Sequence, residues 1–318
     1  MKKAFIRAFI LLAFFCVSCD NEPLDSDISL QVPAVGIPTD PTDPTDPTDP
    51  TDPTNPGSML STYSLDTTSN VPFFGEIIIN SDFIINNGIV LSLNVETTLL
   101  GSTANAVSII TRDGNGRIIQ SESMPTGSSV VSDRTTITYT GDNITQIAYE
   151  DISEGTDSYT YTFAYTGNTV TRTDAANGQS AVFTFDANSR LISKESFTGT
   201  TSTQLETLTY ANGNCTNSTL TGDTNVSNTF VYDTFTNPLK AVFNDQILIT
   251  ILDSDQDDEI GSYLATFYST NNWTVLDSSD GTVDLNAMYN TNNDIISRNA
   301  VIDLGDGVDV TQSEAFQY

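Results

Sequence analysis

The chain has 318 residues, no histidine, and 11 Lys and Arg against 41 Asp and Glu, for a formal net charge of −30. Phosphate binding needs clustered basic side chains, so this balance nearly excludes nucleic acid as a partner. The missing histidine excludes Ser-His-Asp and Cys-His catalysis, histidine zinc sites and histidine pH switches.

Residues 1–19 read as a secretion signal. Lys2, Lys3 and Arg7 form its positive start, and the apolar run Ala8–Val17 is too short for a permanent membrane span. The run ends at Val17-Ser18-Cys19. Small residues before a cysteine resemble the lipobox of bacterial lipoproteins, although Cys16 stands where most lipoboxes carry Leu. The resemblance implies cleavage before Cys19 and acylation of Cys19, which would hold the protein on a membrane without a transmembrane helix. The alternative is an ordinary signal peptide with an incidental cysteine. Asp20-Asn21-Glu22, with Asp25 and Asp27, resembles the export signal of surface-exposed Bacteroidetes lipoproteins. In enterobacteria an Asp behind the cysteine instead favours inner-membrane retention. The expected location is the outer membrane, lipid-anchored and facing outward, with a periplasm-facing domain as the alternative. Once Cys16 leaves and Cys19 is acylated, only Cys215 remains, so no intrachain disulfide is expected.

Residues 20–37 form a tether. From Pro38 to Gly57 the chain runs through five Pro-Thr-Asp triplets and one Pro-Thr-Asn. A proline at every third position blocks helix and sheet and matches the period of polyproline II. The segment predicts a semi-rigid spacer of roughly 60 Å. Nine of the 12 prolines lie at or before Pro56, which puts the start of the globular domain at residue 58.

Residues 58–318 are dominated by Thr, Ser, Asn, Val, Ile, Tyr and Phe with Asn-Gly and Asp-Gly punctuation, the chemistry of strands and turns. Phe83–Leu91 predicts a hairpin, because Asn87-Gly88 tolerates the two positive φ angles of a type I′ turn. A unit of strand, aromatic residue, polar turn and second strand then recurs, with anchors at Arg112, Tyr139, Tyr165, Phe185, Tyr210, Tyr232 and Tyr289. Most anchors are 20–27 residues apart, the length of one hairpin, but the last gap is 57 and leaves room for an insertion around residues 245–280. Asp113-Gly-Asn-Gly-Arg117 and Phe185-Asp-Ala-Asn-Ser-Arg-Leu191 resemble the YD repeat of Rhs-type proteins. Tyr232-Asp233 followed by Asn237-Pro238-Leu239 resembles a motif of uncharacterised Bacteroidetes outer-membrane lipoproteins. These resemblances imply a β-repeat domain but no known activity and no site residues.

The fold expected is all-β: an antiparallel meander of repeated β-hairpins, curled into a half-barrel, a barrel or a two-layered sheet. Chain length argues against the large closed shell of full Rhs proteins. No helix is expected to cover the apolar face, so the sheet must cover it by curling.

Few residues stand out as a site. Tyr159, Tyr161, Phe163 and Tyr165 share one strand face and offer either a stacking platform for sugar rings or an ordinary core face. Trp273, the single tryptophan, is either an exposed contact or a core residue. Asp253, Asp255, Asp257 and Glu259 alternate as in calcium loops, which gather oxygens around a hard cation. Asp258 stands where such a loop needs glycine, so a solvated acidic loop is the other reading. Asp303, Asp306 and Asp309 form a second, weaker cluster, and Asp66-Thr67-Thr68 resembles the O-glycosylation acceptor of Bacteroidetes envelope proteins. Cys215, with no histidine to activate it, reads as a small strand residue. Lys194 and Lys240, the lysines left after the signal, sit in neither a Ser-x-x-Lys context nor a phosphate loop.

The function expected is a surface-anchored module that binds or scaffolds without catalysis, with a glycan or an envelope or extracellular protein as partner and calcium as the one candidate cofactor. The alternatives are a carbohydrate-active enzyme using an Asp/Glu pair and a structural envelope protein without a soluble ligand.

Overall fold

The computed structural model describes residues 59–71, 75–155, 157–279, 281–303 and 308–318. The signal, Cys19, the tether, the spacer and Asp306 lie outside these residues. The described chain opens with β1 (Thr62–Val71), β2 (Gly75–Asn86), β3 (Ile89–Leu99), β4 (Ser102–Arg112), β5 (Ile118–Pro125), β6 (Asp133–Thr140) and β7 (Asn143–Asp151). It continues through β8 (Tyr159–Thr166), β9 (Thr169–Asp174), β10 (Gln179–Phe185), β11 (Leu191–Thr198), β12 (Thr201–Ala211), β13 (Asn214–Gly222) and β14 (Val226–Thr236). Three short helices follow: α1 (Pro238–Val242), α2 (Ile247–Asp253) and α3 (Gly261–Phe267). The chain ends with β15 (Asn271–Ser278), β16 (Gly281–Asp284), β17 (Asn286–Tyr289), β18 (Ile295–Asp303) and β19 (Asp309–Gln317).

Except at β16–β17, each strand pairs antiparallel with its neighbour in sequence, and β19 returns to β1 in register from Thr62↔Gln317 to Asn70↔Asp309. The meander is therefore a nearly closed barrel. At its one irregular join, β16 and β17 are halves of a bent strand on either side of Leu285; the first half pairs with β15 and the second with β18. The hairpin expected at Asn87-Gly88 is present, with φ of 51° and 75° on the two turn residues.

The repeat has a physical basis. Asp113 Oδ1 accepts the backbone N–H groups of Asn115 and Arg117, while its Oδ2 binds the Arg117 side chain. Asp186, Asn188 and Arg190 repeat the arrangement. The residue before each arginine, Gly116 or Ser189, takes positive φ, and the ladder shifts register beside it, as in a type I turn with a bulge. The anchor tyrosines then tie one hairpin to the one before. Tyr139 donates to Ile118 O (2.9 Å), Tyr165 to Ile144 O (3.0 Å), Tyr210 to Leu191 O (2.7 Å) and Tyr232 to Cys215 O. The Tyr232-Asp233 motif marks the exit from the sheet. Asn237 Oδ1 caps α1 through Leu239 N (3.1 Å), and Pro238 needs no donor at the first helical position.

Residues 237–270, between β14 and β15, leave the wall and fill the lumen. They touch opposite sides of the ring: Tyr63 on β1 meets Phe243 and Phe267, Arg112 on β4 pairs with Asp245, and Arg172 on β9 binds the end of α2. This corrects two expectations. The insertion begins before residue 245, and helices do cover the apolar face, from inside. A ring this wide encloses more volume than its own side chains fill, so a segment of the chain must supply the rest.

Polarity follows the pleat. On β8 the inward Tyr161 and Phe163 are buried, while Thr160, Thr162 and Ala164 are exposed. On β14 Asn228 and Phe230 face in and Ser227, Thr229 and Val231 face out. The exterior is thus hydroxyl-rich with isolated apolar residues such as Ile84 and Val301. No helix among the described residues is long and apolar enough to cross a membrane.

A buried ion pair pins the closure. Arg298 on β18 and Glu314 on β19 are cross-strand partners, each side chain 1% exposed, joined by Nη2–Oε2 (2.7 Å) and Nε–Oε1 (3.0 Å) contacts. Tyr63 on β1 donates its hydroxyl to the same carboxylate at 2.9 Å, and Gln312 Nε2 donates at 3.0 Å. Removing one member leaves an uncompensated buried charge, so Glu314→Ala is expected to destabilise the barrel by about 3–5 kcal/mol in denaturant unfolding. A loss under about 1 kcal/mol, the range of surface pairs, would show that the seam does not depend on this pair.

Candidate functional site

The lumen segment packs its apolar residues into the core, and polar side chains of the wall reach its backbone. Arg172 on β9 has inward parity with Val170, and its Nη1 donates to Leu252 O (3.1 Å) and to Ser254 O. Its guanidinium lies 4.3 Å from the Tyr161 ring centre. Lys194 on β11 donates to Asp255 O and to Asp258 O (3.1 Å), and Ser196 to Gln256 O (2.7 Å). Glu206 on β12 accepts from Ile260 N and Gly261 N, both at 2.8 Å, and from Ser218 Oγ at 2.6 Å. Gly261 is required at this contact, because a Cβ there would lie 2.3 Å from Ser218 Cβ.

Enclosure shifts the charges. Burial lowers Lys194 to about 8, despite the opposing pull of Asp258. Burial raises Asp253 and Asp258 to about 6. Glu259 rises to about 7, first through burial and then through its neighbour Glu206, which burial also raises.

The residues singled out from sequence fall into this frame unevenly. Asp253 accepts from the Tyr159 hydroxyl at 3.0 Å, and Glu259 accepts from Asn228 Nδ2 at 2.6 Å and Ser262 Oγ at 3.2 Å. Asp255 and Asp257 are exposed, and Asp258, passed over as a misfit, is the carboxylate that accepts Asp255 N at 2.6 Å. Among the described residues no three acidic or cysteine side chains converge as a cation site. Tyr159, Tyr161, Phe163 and Tyr165 all face the lumen, Tyr161 and Phe163 buried and the other two half-buried. Tyr159 stacks between Tyr149 (5.3 Å) and Tyr161 (4.6 Å). Trp273 is 2% exposed on the inner wall, with Arg298 over its ring at 5.8 Å. Asp303 and Asp309 face each other at the β18–β19 turn, and Asp66-Thr67-Thr68 lies within β1. Cys215 is buried, and burial pushes its thiol far up, into the unreactive range.

Between the lumen segment and the β1–β7 wall lies a cavity of about 220 Å³. Tyr63, Phe83 and Leu93 give it an apolar side on β1–β3. The β4–β7 side carries two cross-strand rows, Ser108–Ser123–Asp133 and Ser121–Thr135–Tyr149. Ser108 and Ser123 hydroxyls are 2.9 Å apart, and Tyr149 donates to Asp133 at 2.7 Å. Ile249 and Tyr263 border it from the lumen segment, with Trp273 and Gln312 completing the wall. Sequence reasoning missed these hydroxyl rows, Arg172, Lys194 and Glu206. The available signal for Arg172 and Glu206 was parity: they sit two positions from the inward Val170 and Leu208.

No family model and no curated protein matches the sequence. Among solved structures, a porin-like protein from Bacteroides uniformis is 11% identical, over 81% of this chain and 96% of its own, with a TM-score of 0.46. A porin-like protein from Bacteroides vulgatus is 10% identical, over 82% of this chain and 98% of its own, with a TM-score of 0.27.

The raised carboxyls fix a pH dependence. Asp253, Asp258 and Glu259 bind protons in the fold that the unfolded chain, with ordinary values of 3.8 and 4.5, has already released. Their contribution is full below about pH 4 and is lost as pH rises through 6 to 7. The melting temperature is therefore expected to be higher at pH 5 than at pH 7.5, and Glu259→Gln to shrink the difference. An unchanged difference in that variant would remove Glu259 from the account.

Proposed function

We propose that this protein is a lipid-anchored envelope protein whose barrel stands clear of the membrane and works by binding or scaffolding. The observation that carries the reading is the direction of the pleat. A membrane-spanning barrel turns an apolar band outward and keeps polar residues inside. Here Thr, Ser and Asn face out, two apolar clusters pack inside, and a covalent segment fills the lumen. A barrel of this polarity needs another attachment, and Cys19 behind an apolar signal supplies one. The Pro-Thr-Asp spacer then sets the barrel roughly 60 Å from the lipid. The acidic chain favours partners that do not carry dense negative charge: glycans, or other envelope or extracellular proteins. The lumen carboxylates Asp253 and Glu259 are engaged within the barrel, by Tyr159 and by Asn228.

Metabolic labelling with an alkyne fatty acid is expected to mark the native chain and to leave Cys19→Ser unmarked and released from membranes. Equal labelling of both would remove the anchor. Proteinase K added to intact cells is expected to degrade the barrel, whereas protection until lysis would turn it toward the periplasm.

A further inference from the structure

We propose that the lumen cavity is a binding site for a small uncharged molecule, mostly apolar, about the size of two fused rings, and carrying a hydroxyl or carbonyl oxygen. The proposal rests on the binding role given above but not on the anchor.

Size comes first. The cavity is about 220 Å³. An apolar protein cavity of about 150 Å³ accepts benzene, so this one has room for a second ring. Phe83, Leu93, Ile110, Ile137, Ile249 and Phe267 border it, surfaces that favour a ring or short chain over water.

Polar groups without partners come second. Buried polar atoms in native interiors are nearly always hydrogen-bonded. Three residues lining this cavity have a buried atom with no partner among the described residues: Trp273 Nε1, Gln312 Oε1 and Gln246 Nε2. Trp273 is 2% and Gln312 6% exposed. Gln312 Nε2 is already committed to Glu314 at 3.0 Å, which orients its free oxygen. The lining residues therefore carry two unpaired donors and one unpaired acceptor, Trp273 and Gln312 from the wall and Gln246 from the lumen segment. A ligand hydroxyl serves either role, and a carbonyl serves the donors.

Charge comes third. Asp133, Asp253, Asp258 and Glu259 line the cavity, and the basic side chain lining it, Arg134, is held by Glu122 (2.8 Å) and Glu150 (3.3 Å). An anion entering here meets carboxylates and no available cation. A cation finds those carboxylates already engaged, Asp133 by Ser132 and Tyr149, and Glu259 by Asn228 and Ser262. The groups left to recognise a ligand are neutral.

Trp273 is both wall and reporter. The chain has one tryptophan, so a nitrogen–proton correlation spectrum contains one indole N–H signal, and it belongs to the cavity. The experiment titrates naphthol, and separately naphthoate, into the isotope-labelled full chain carrying Cys19→Ser. Naphthol is expected to shift the indole signal saturably, and naphthoate to bind at least tenfold more weakly. Ser121→Phe, which fills the cavity from β5, is expected to abolish the naphthol response. No indole shift at the highest naphthol concentration, or equal affinity for naphthoate, overturns the proposal, as does full naphthol binding by folded Ser121→Phe. If that variant does not fold, the naphthol-to-naphthoate ratio on the otherwise unaltered chain decides alone. Fatty-acid labelling of Cys19 reads the anchor independently, so the two readings fail separately.

Discussion

A sheet that closes on itself has solved its edges and created an interior. With this many strands the inward side chains do not meet across the axis, and the space must be filled by protein. The filling segment here is short, irregular and interrupted, so much of its backbone has no helical partner. Each such carbonyl and N–H needs a hydrogen bond in a place without bulk water. The wall answers with Arg172, Lys194, Ser196 and Glu206, aimed at Leu252, Asp255, Gln256, Ile260 and Gly261. Arg172, Lys194 and Glu206 are, in that sense, secondary structure supplied in trans by the strands.

That role bears on how the interior charges are read. Raised carboxyls and a lowered lysine in an enclosed space are the usual marks of a catalytic centre. Here the same shifts follow from burial of groups whose partners are backbone atoms or amide and hydroxyl side chains. At the cavity, unpaired polar atoms remain on Trp273 and Gln312 of the wall and on Gln246 of the lumen segment.

Much of the fold was legible in the sequence because its determinants are local. Asn87-Gly88 fixes a hairpin by φ alone, and Asp113 and Asp186 shape their turns with bonds spanning four residues. The spacing of the anchor tyrosines is the reach from one hairpin to the previous one. The helices were not legible for equally physical reasons. Ile247-Leu-Ile-Thr-Ile-Leu-Asp253 is rich in β-branched residues and has no side-chain cap; tertiary enclosure overrides its strand propensity. The alternation in 253–259 says nothing of the wall, yet the loop lies against Lys194 and Glu206, which bond its backbone at Asp255, Asp258, Ile260 and Gly261. Trp273 was open to either reading, contact or core, because the polar Asn271 and Asn272 precede it. Those asparagines are strand residues whose amides engage Phe235 O and Asp233. The cavity could not be foreseen, because its lining comes from strands separated by most of the chain.

The join between β1 and β19 has a mechanical side. The chain enters the barrel at Ser61, whose N–H bonds Gln317 O and whose carbonyl accepts Ile85 N. From there β1 runs between β19 and β2, in register with both along nearly its whole length. A pull transmitted along the N-terminal chain in the strand direction loads both ladders in shear, so their hydrogen bonds resist together instead of opening one by one. Because β1 lies beside the C-terminal strand, tension that did extract it would open the ring between β19 and β2 and leave the remaining strands, with the Arg298–Glu314 pair, joined.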